Sequence, residues 1–595
     1  MEPIAGAISD TELVQISPTG FESAADHIRV NSAPRSGQTG LTCLGALGMV
    51  LPIGAYFWFI HQYSVNVVYW DQWSDIGLLD HWYRGTLTWS DLWASHGDHR
   101  ILFPNLIVIA LAQFTHYNVV FEEYLSGAML VTAAGLFIST HRRRSPSTPL
   151  IYYCPVTLLL FSFVQFQNTL WGFQMAWYLI TLALTLALFL LDRPALTGWV
   201  FAGAIAATVI GSFSSLQGLL IWPVGLLILY VRRRPRRSLL IWIACALITA
   251  TAYFYHLYPS YYSNQTYVFT HPIDSLRFFL FLIGSVLGIQ STNSPWPVIV
   301  FGTFVMVIAI LLVVKYQRRS EHGSSPIGVA LICYGVLFAA TITQGRAFYG
   351  LYAPSRYSTC GLLILAGCYL ALLDRAPARS GFAHRAATTE DRPERRNVIG
   401  QTVIWIGLAV AIFLQVIFGT GHGLASAKSL SQSQKEVADT IVNVGKASNT
   451  LVQWELRLSS RQLAPLLQTM KVHRLSLFAT GAVGYYSRIG LLPELTVLQV
   501  RVTIPVGGAT LKGTSLLDAT TSDLSGVTKV DFRLNGDGLH DNIIGAGKQT
   551  AYGWLAYWNT TSFPNGSYEL QSVAYGYAGG RSYSPTVRIS ITNHP

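Results

Sequence analysis

"AWYLITLALTLALFLL", residues 176–191, runs its whole length without a charge. "VIVFGTFVMVIAILLVV" (298–314) reads the same way. With their flanks, such runs approach the roughly 20 apolar residues that carry a helix across about 30 Å of hydrocarbon. Only 12% of the 595 residues are charged, and the mean hydropathy is +0.39. Soluble domains carry about a quarter charged residues, so much of this chain is expected to face lipid. The expected fold class is an α-helical polytopic membrane protein followed by an extracytoplasmic β-sandwich.

Eleven spans are expected, near 43–62, 119–139, 149–165, 174–192, 196–212, 217–231, 238–256, 297–315, 326–343, 358–374 and 398–418. The net charge of +11 does not point to nucleic acid. Its basic residues gather in short loops, "HRRR", "RRRPRR", "KYQRR" and "RPERR", as the positive-inside rule requires. That pattern places the N-terminus in the cytoplasm and the C-terminal domain outside the cell (inner or plasma) membrane. Two further apolar stretches, 101–114 and 278–290, would break this parity if they spanned. They are therefore expected as half-inserted or interfacial helices on the outer side, packed on protein or lining a cavity. The six cysteines lie in or beside apolar runs without paired spacing, as small core residues do.

The domain plan is a cytoplasmic tail (1–42), a transmembrane domain (43–420), an extracytoplasmic mixed connector (421–496) and a β domain (497–595). In the last, "LQVRVTI", "VTKVDFRLNG", "YELQSVAYG" and "PTVRISIT" alternate with period two between Gly-, Pro- and Asn-rich turns, the pattern of an antiparallel sandwich. It resembles the immunoglobulin-like modules appended to bacterial surface proteins. The aromatics of "YGWLAYW" (552–558) fit either a sandwich core or a sugar-binding face.

With this topology the polar motifs sort to the outer side: "YWDQWSD" (69–75), "HGDHR" (96–100), "QFQNTLWGFQ" (165–174) and "GRAFYGLYAPSRY" (345–357). Charges near a membrane are costly and mark function more often than structure. Arg346 and Arg356 share one short loop with Tyr357, and guanidinium forks suit phosphate. Arg100 and His99 open the first half-inserted helix, within expected reach of the same phosphate. Gln167, Asn168 and Gln174 offer amides to sugar hydroxyls, and Trp171 offers a ring face. Glu122 and Glu123 read as interfacial. His96, Asp98 and His99 could ligate a metal, but no matching cluster appears elsewhere in the sequence, so no metal or other cofactor is indicated.

The N-in bundle and the acid-bearing first outer loop resemble the GT-C superfamily of integral-membrane glycosyltransferases. The set "WDQW", "HGDHR", "QNTLWGFQ" and "SRY" is also similar to a set of uncharacterised bacterial membrane proteins. The resemblance covers roughly residues 43–420. It implies transfer of a sugar from a polyprenyl-phosphate-linked donor, itself a membrane lipid, to an extracytoplasmic glycan, lipid or protein acceptor. It places the catalytic carboxylate at Asp71, with Asp75 next and Asp98 in support. The chain departs from the superfamily's better-known members in lacking a "WWDYG"-like or "DxD" string. A transporter or flippase of a lipid-linked glycan is the rival reading, although no inverted repeat is visible.

Overall fold

The computed structural model describes residues 36–257, 263–317, 325–374, 392–442, 456, 458, 460–479, 500–521, 527–550, 553–576 and 581–593. The expected tail 1–42 and much of the connector 421–496 lie outside them. The helices are α1 (Ser36–Tyr63), α2 (Trp73–Tyr83), α3 (Trp89–Trp93), α4 (Leu102–Thr115), α5 (Val119–Arg142), α6 (Cys154–Leu160), α7 (Phe166–Thr169), α8 (Met175–Leu191) and α9 (Gly198–Ser212). They continue with α10 (Ile221–Val231), α11 (Arg236–Phe254), α12 (Tyr267–Thr270), α13 (Pro272–Gly284), α14 (Trp296–Gln317) and α15 (Ile327–Arg346). The last are α16 (Ser358–Leu373), α17 (Arg392–Val442) and α18 (Ser460–Val472).

Every residue of α16 is buried, so this helix is the axis of the bundle. Its tightest partner is α15, and small residues set the spacing. A Cβ added at Gly328 would sit 2.5 Å from the Ala371 nitrogen, and one at Gly367 would sit 2.6 Å from the Gly328 carbonyl. Backbones approach this closely where packing rather than the hydrophobic effect holds helices together. The opposite situation holds outside: Trp199, Leu247, Ile248, Val300 and Phe413 are all more than 60% exposed. An apolar exterior of this extent marks a surface that meets a membrane or another protein.

Among the described residues nine helical segments are long and apolar enough to cross a membrane. They coincide with nine of the eleven expected spans. The other two, Gly198–Ser212 and Leu216–Val231, are apolar but shorter. Both stretches expected as half-helices are helical. The first is α4. The second begins earlier than expected, at the helix-starting Pro272, and ends in a 3-10 turn at Ser285–Leu287 before Gly288 takes φ +88°. Phe278, Phe281 and Leu282 are buried, so α13 packs on protein.

The bundle has two chemically distinct ends. At one, α5, α8, α10 and α16 finish. There Arg143 donates to the Phe189 carbonyl at 2.9 Å, Arg232 and Arg144 pair with Asp192, and His141 Nε2 meets Asp374 Oδ1 at 3.0 Å. Cations at helix C-termini also complement the helix dipoles. The other end carries the polar motifs and the cavity described below.

Helix α17 departs from the expected plan. It continues unbroken past residue 420, the expected domain boundary, and its 51 residues give it a length of about 76 Å. The reason is visible in its second half, where Ala427, Gln434, Val437 and Ala438 keep a buried face. Beyond it, α18 lies on α2, with Leu463, Leu467 and Met470 in the main core.

The C-terminal strands are β3 (Val500–Ile504), β4 (Thr510–Leu511), β5 (Thr514–Thr521), β6 (Val527–Gly536), β7 (Leu539–Thr550), β8 (Gly553–Asn559), β9 (Gly566–Gly576), β10 (Arg581–Tyr583) and β11 (Val587–Ile591); β1 (Ser95–His96) and β2 (His99–Arg100) form a hairpin in the helical region. The strand order is β3-β5-β8-β7-β6-β9-β11-β4, with β10 on β9. Strand β7 links two layers: its first part pairs with β6, its last three residues with β8. Phe532, Leu534, Leu570, Ile589, Trp554 and Trp558 fill the core. Two of the "YGWLAYW" rings are therefore core, while Tyr557 is 77% exposed. Tyr552 lies outside the described residues.

Candidate active site

The stretch 69–75 turns sharply. Trp70 takes φ +49°, a left-handed conformation that a bulky residue adopts only when its surroundings hold it there. The hold is visible. Gln72 is fully buried and its Oε1 accepts from the Tyr69 N–H at 3.1 Å, while Trp171 Nε1 donates to the Tyr69 carbonyl at 3.2 Å. The Trp70 ring lies over Tyr69, with centroids 5.3 Å apart. After the turn, helix α2 begins, and the four-residue spacing puts Asp71 and Asp75 on one side. Both line a cavity of about 920 Å³, within the size range of ligand pockets.

The two acids differ. Asp71 keeps its side chain 48% exposed, with His96 Nε2 at 3.9 Å from Oδ1. Asp75 is buried and accepts from the Tyr117 hydroxyl at 2.8 Å. Burial pushes the Asp75 carboxyl up to about 7, against the opposing pull of Tyr117 and His96, with Asp71 adding to the rise. Burial lowers the His96 imidazole, but the carboxylates of Asp71 and Asp75 outweigh it and hold the group above its ordinary value.

"HGDHR" forms a two-strand hairpin, β1 (Ser95–His96) and β2 (His99–Arg100), with His96 opposite His99 and Ser95 opposite Arg100. Cross-strand partners share a face and neighbours along a strand do not. Hence His96 and His99 both line the cavity while Arg100 turns away from it. Arg100 was expected at the phosphate; instead its guanidinium donates to the carbonyls of Trp93, Tyr253 and Tyr255. Arg100→Met should lower stability by about 3 kcal/mol, through the buried carbonyls it leaves unsatisfied. A thermal melt in detergent checks this, and lipid retention should be unchanged in the same variant.

His99 Nδ1 accepts from the Leu216 N–H at 3.3 Å and meets Ser215 Oγ at 3.0 Å. A backbone N–H can only donate, so the ring proton sits on Nε2. Burial, with Arg346, His96 and Arg356 nearby, pushes His99 down to about 4, against the opposing pull of Asp98. It is a neutral donor at physiological pH. Asp98 accepts from Ser263 Oγ at 3.0 Å and pairs with Arg346 at 3.3 Å.

Arg346 ends α15, and Arg356 sits in the 3-10 turn before α16, so the close pairing of these helices brings both to one wall. The Arg356 guanidinium lies 5.2 Å from the centroid of the Tyr357 ring, and both residues line the cavity with Arg346. Gln174 lines the same cavity and accepts from Trp177 Nε1 at 2.6 Å; Trp171 lines it too. Gln167 and Asn168 do not. Gln167 Oε1 accepts from the Arg356 N–H and Nη1 at 3.4 Å, and Asn168 Nδ2 donates to the Arg356 carbonyl at 3.0 Å. These amides, expected on sugar hydroxyls, instead hold the Arg356 segment in place.

Some lining residues carried no prior assignment. Ser215 and Gln217 come from "SFSSLQG", whose outward polar run was the available signal. Glu122 and Glu123, read as interfacial, are 1% exposed behind the cavity: Ser64 Oγ donates to Glu123, and Gly172 packs without a side chain against Glu122 and Gln72. Among the described residues, no group of three or more His, Cys, Asp or Glu is placed to hold a metal ion.

Residues 499–571 match the family described as Bacterial Ig domain, so the chain carries a bacterial immunoglobulin-like domain at its C-terminal end. Among solved structures the chain is similar to the fibronectin(III)-like modules of Clostridium thermocellum CbhA: 27% identity over 16% of this chain and 94% of that one, TM-score 0.13. It is also similar to the endo-beta-1,4-mannanase from Thermotoga petrophila, at 18% identity over 23% of this chain and 26% of that one, TM-score 0.14. An engineered protein matches at 15% identity over 21% of this chain and 27% of that one, TM-score 0.13. The latter two matches span about a quarter of those proteins' lengths. No curated protein matches the chain.

Proposed function

We propose that this protein is a membrane glycosyltransferase that moves a sugar from a polyprenyl-phosphate-linked donor to an extracytoplasmic glycan, lipid or protein acceptor. One observation carries the reading: a single cavity is lined by Asp71 and Asp75 from one loop and by Arg346, Arg356 and Tyr357 from another. A carboxylate for the acceptor and cations for the departing phosphate are the two groups this reaction needs. In this reading the basic end of the bundle lies in the cytoplasm, by the positive-inside rule, and the cavity opens on the outer face.

In this reaction the acceptor hydroxyl gives its proton to Asp71 and its oxygen bonds to the anomeric carbon. The bond from that carbon to the phosphate oxygen breaks, and its electron pair stays with the phosphate. Arg346, Arg356 and Tyr357 meet the growing negative charge, which is ordinarily the largest electrostatic contribution. Leu216, Leu219, Leu220, Phe254 and Ile342 line the apolar part of the cavity and would receive the start of the prenyl chain.

Mass spectrometry of lipid co-purified with the wild type and with the Arg346→Ala, Arg356→Ala double variant tests this. The wild type should retain a polyprenyl phosphate or its sugar conjugate, and the double variant should lose at least about tenfold. Equal retention of bulk phospholipid alone would remove the arginine assignment. A transfer assay on the retained donor separates a transferase from a flippase, which moves the lipid without cleaving it.

A further inference from the structure

Among the described residues, His96 is the basic group poised beside the carboxylate that the transfer reaction would use. Three features place it there. The two-residue turn at Gly97, with φ +58°, and Asp98 folds the hairpin so that His96 and His99 share the cavity face. The His96 ring lies 4.9 Å from the Phe173 ring, between centroids, which fixes its plane from the cavity wall. Its Nε2 stands 3.9 Å from Asp71 Oδ1, a separation that a small rotation of either side chain closes to a hydrogen bond. Both side chains remain partly exposed, 32% for His96 and 48% for Asp71, so proton exchange with water is open.

Resting on the transferase reading, we propose that His96 is the proton-holding partner of Asp71. The acceptor hydroxyl's proton passes to the Asp71 carboxylate and on to His96 Nε2, and the imidazolium later releases it to water. The electron pair of the broken bond leaves with the phosphate, so charge balances: one proton is gained on the protein and one negative charge on the product. Without such a partner, Asp71 would have to release each proton directly before the next turnover.

The groups facing His96 are Asp71 from the 69–75 turn, Asp75 from α2, and His99 across the hairpin, with Asp98 in the connecting turn. Burial lowers the His96 imidazole, but Asp71 and Asp75 outweigh it, so His96 charges at higher pH than an isolated imidazole. Protonated His96 is already occupied and ion-paired to Asp71, so the acid limb of the rate profile belongs to this histidine.

Two measurements on the full chain in detergent decide the matter. First, NMR titration of ring-labelled histidines, with His96→Gln supplying the assignment, should place the His96 midpoint above the ordinary histidine value. Asp71→Asn should lower that midpoint. A midpoint indifferent to Asp71→Asn overturns the pairing whatever the enzyme does. Second, the pH profile of kcat/KM should show an acid limb near the His96 midpoint in the wild type. In His96→Gln the limb should move to lower pH and the plateau should fall about 10²-fold. An unchanged limb in an active variant overturns the proton-holding role alone. Absence of transfer by the wild type, with the donor shown to be bound, overturns the transferase reading and this role with it.

Discussion

Asp71→Asn should reduce sugar transfer by about 10²- to 10⁴-fold, the span expected when a positioned general base is removed. The carboxamide has the size of the carboxylate but cannot accept the acceptor's proton at neutral pH. Structure offers little competing explanation for such a loss. The side chain is about half exposed, and the groups that hold the turn in shape are the Tyr69 backbone, the Gln72 amide and the Trp171 indole. The Ser74 hydroxyl donates to the Asp71 main-chain carbonyl, which the substitution leaves in place. Thermal stability and donor-lipid retention should therefore match the wild type while transfer collapses. The assay compares product formed at equal protein levels. Full activity in Asp71→Asn would strip Asp71 of the base role and direct attention to Asp75, one helical turn further along.

The helical part of this fold was largely legible because helices long and apolar enough to cross a membrane follow a coarse rule: about 20 apolar residues, then a loop. That rule located the runs around α5, α8, α14 and α16 to within a few residues. It failed where a different interaction ended the element. Helix α17 keeps going past the last apolar stretch because Gln434, Val437 and Ala438 still find a buried face, a fact about its neighbours. In the β domain the alternation of "VTKVDFRLNG" and "PTVRISIT" marked β6 and β11, whereas β7, with the burial pattern of a half-exposed strand bridging two layers, carries little periodicity of its own.

At the site, residue types were legible and side-chain directions were not. Asp71, Asp75, Asp98, His99, Arg346 and Arg356 were expected together, and they line one cavity although Asp98 and Arg346 are far apart in the chain. Arg100 was misplaced because a two-residue strand reverses the side of each successive residue, and "HGDHR" gives no hint of a hairpin within an expected helix start. Gln167 and Asn168 illustrate the same limit. An amide cluster on the outer side can serve substrate or backbone, and only the proximity of the 355–359 turn shows that it serves the backbone. The buried pair Glu122 and Glu123 looked interfacial because a sequence does not reveal that the 69–75 turn folds over them.

Asp75 should make the protein's stability depend on pH in a direction opposite to that of most carboxylates. Its folded-state value of about 7 lies above the ordinary value of 3.8, because burial disfavours the charged form. Below about pH 4 the group is protonated in both states and carries no penalty. Between about pH 4 and pH 7 the unfolded chain releases its proton while the folded chain keeps it, so stability falls as pH rises. Above about pH 7 the full penalty, of order 4 kcal/mol, is present and constant. His96 acts in the same direction: its raised value contributes stability at low pH that is lost as pH rises, and part of that rise comes from Asp75 itself. Asp75→Asn removes the first effect and weakens the second, while its side-chain oxygen can still accept from Tyr117. Thermal melts at pH 5 and pH 8.5 should show wild type losing about 3 kcal/mol over the interval and Asp75→Asn losing much less. Parallel losses in the two proteins would mean that Asp75 is charged throughout, and the acid beside Asp71 would then act as a second anion rather than as a neutral hydrogen-bond donor.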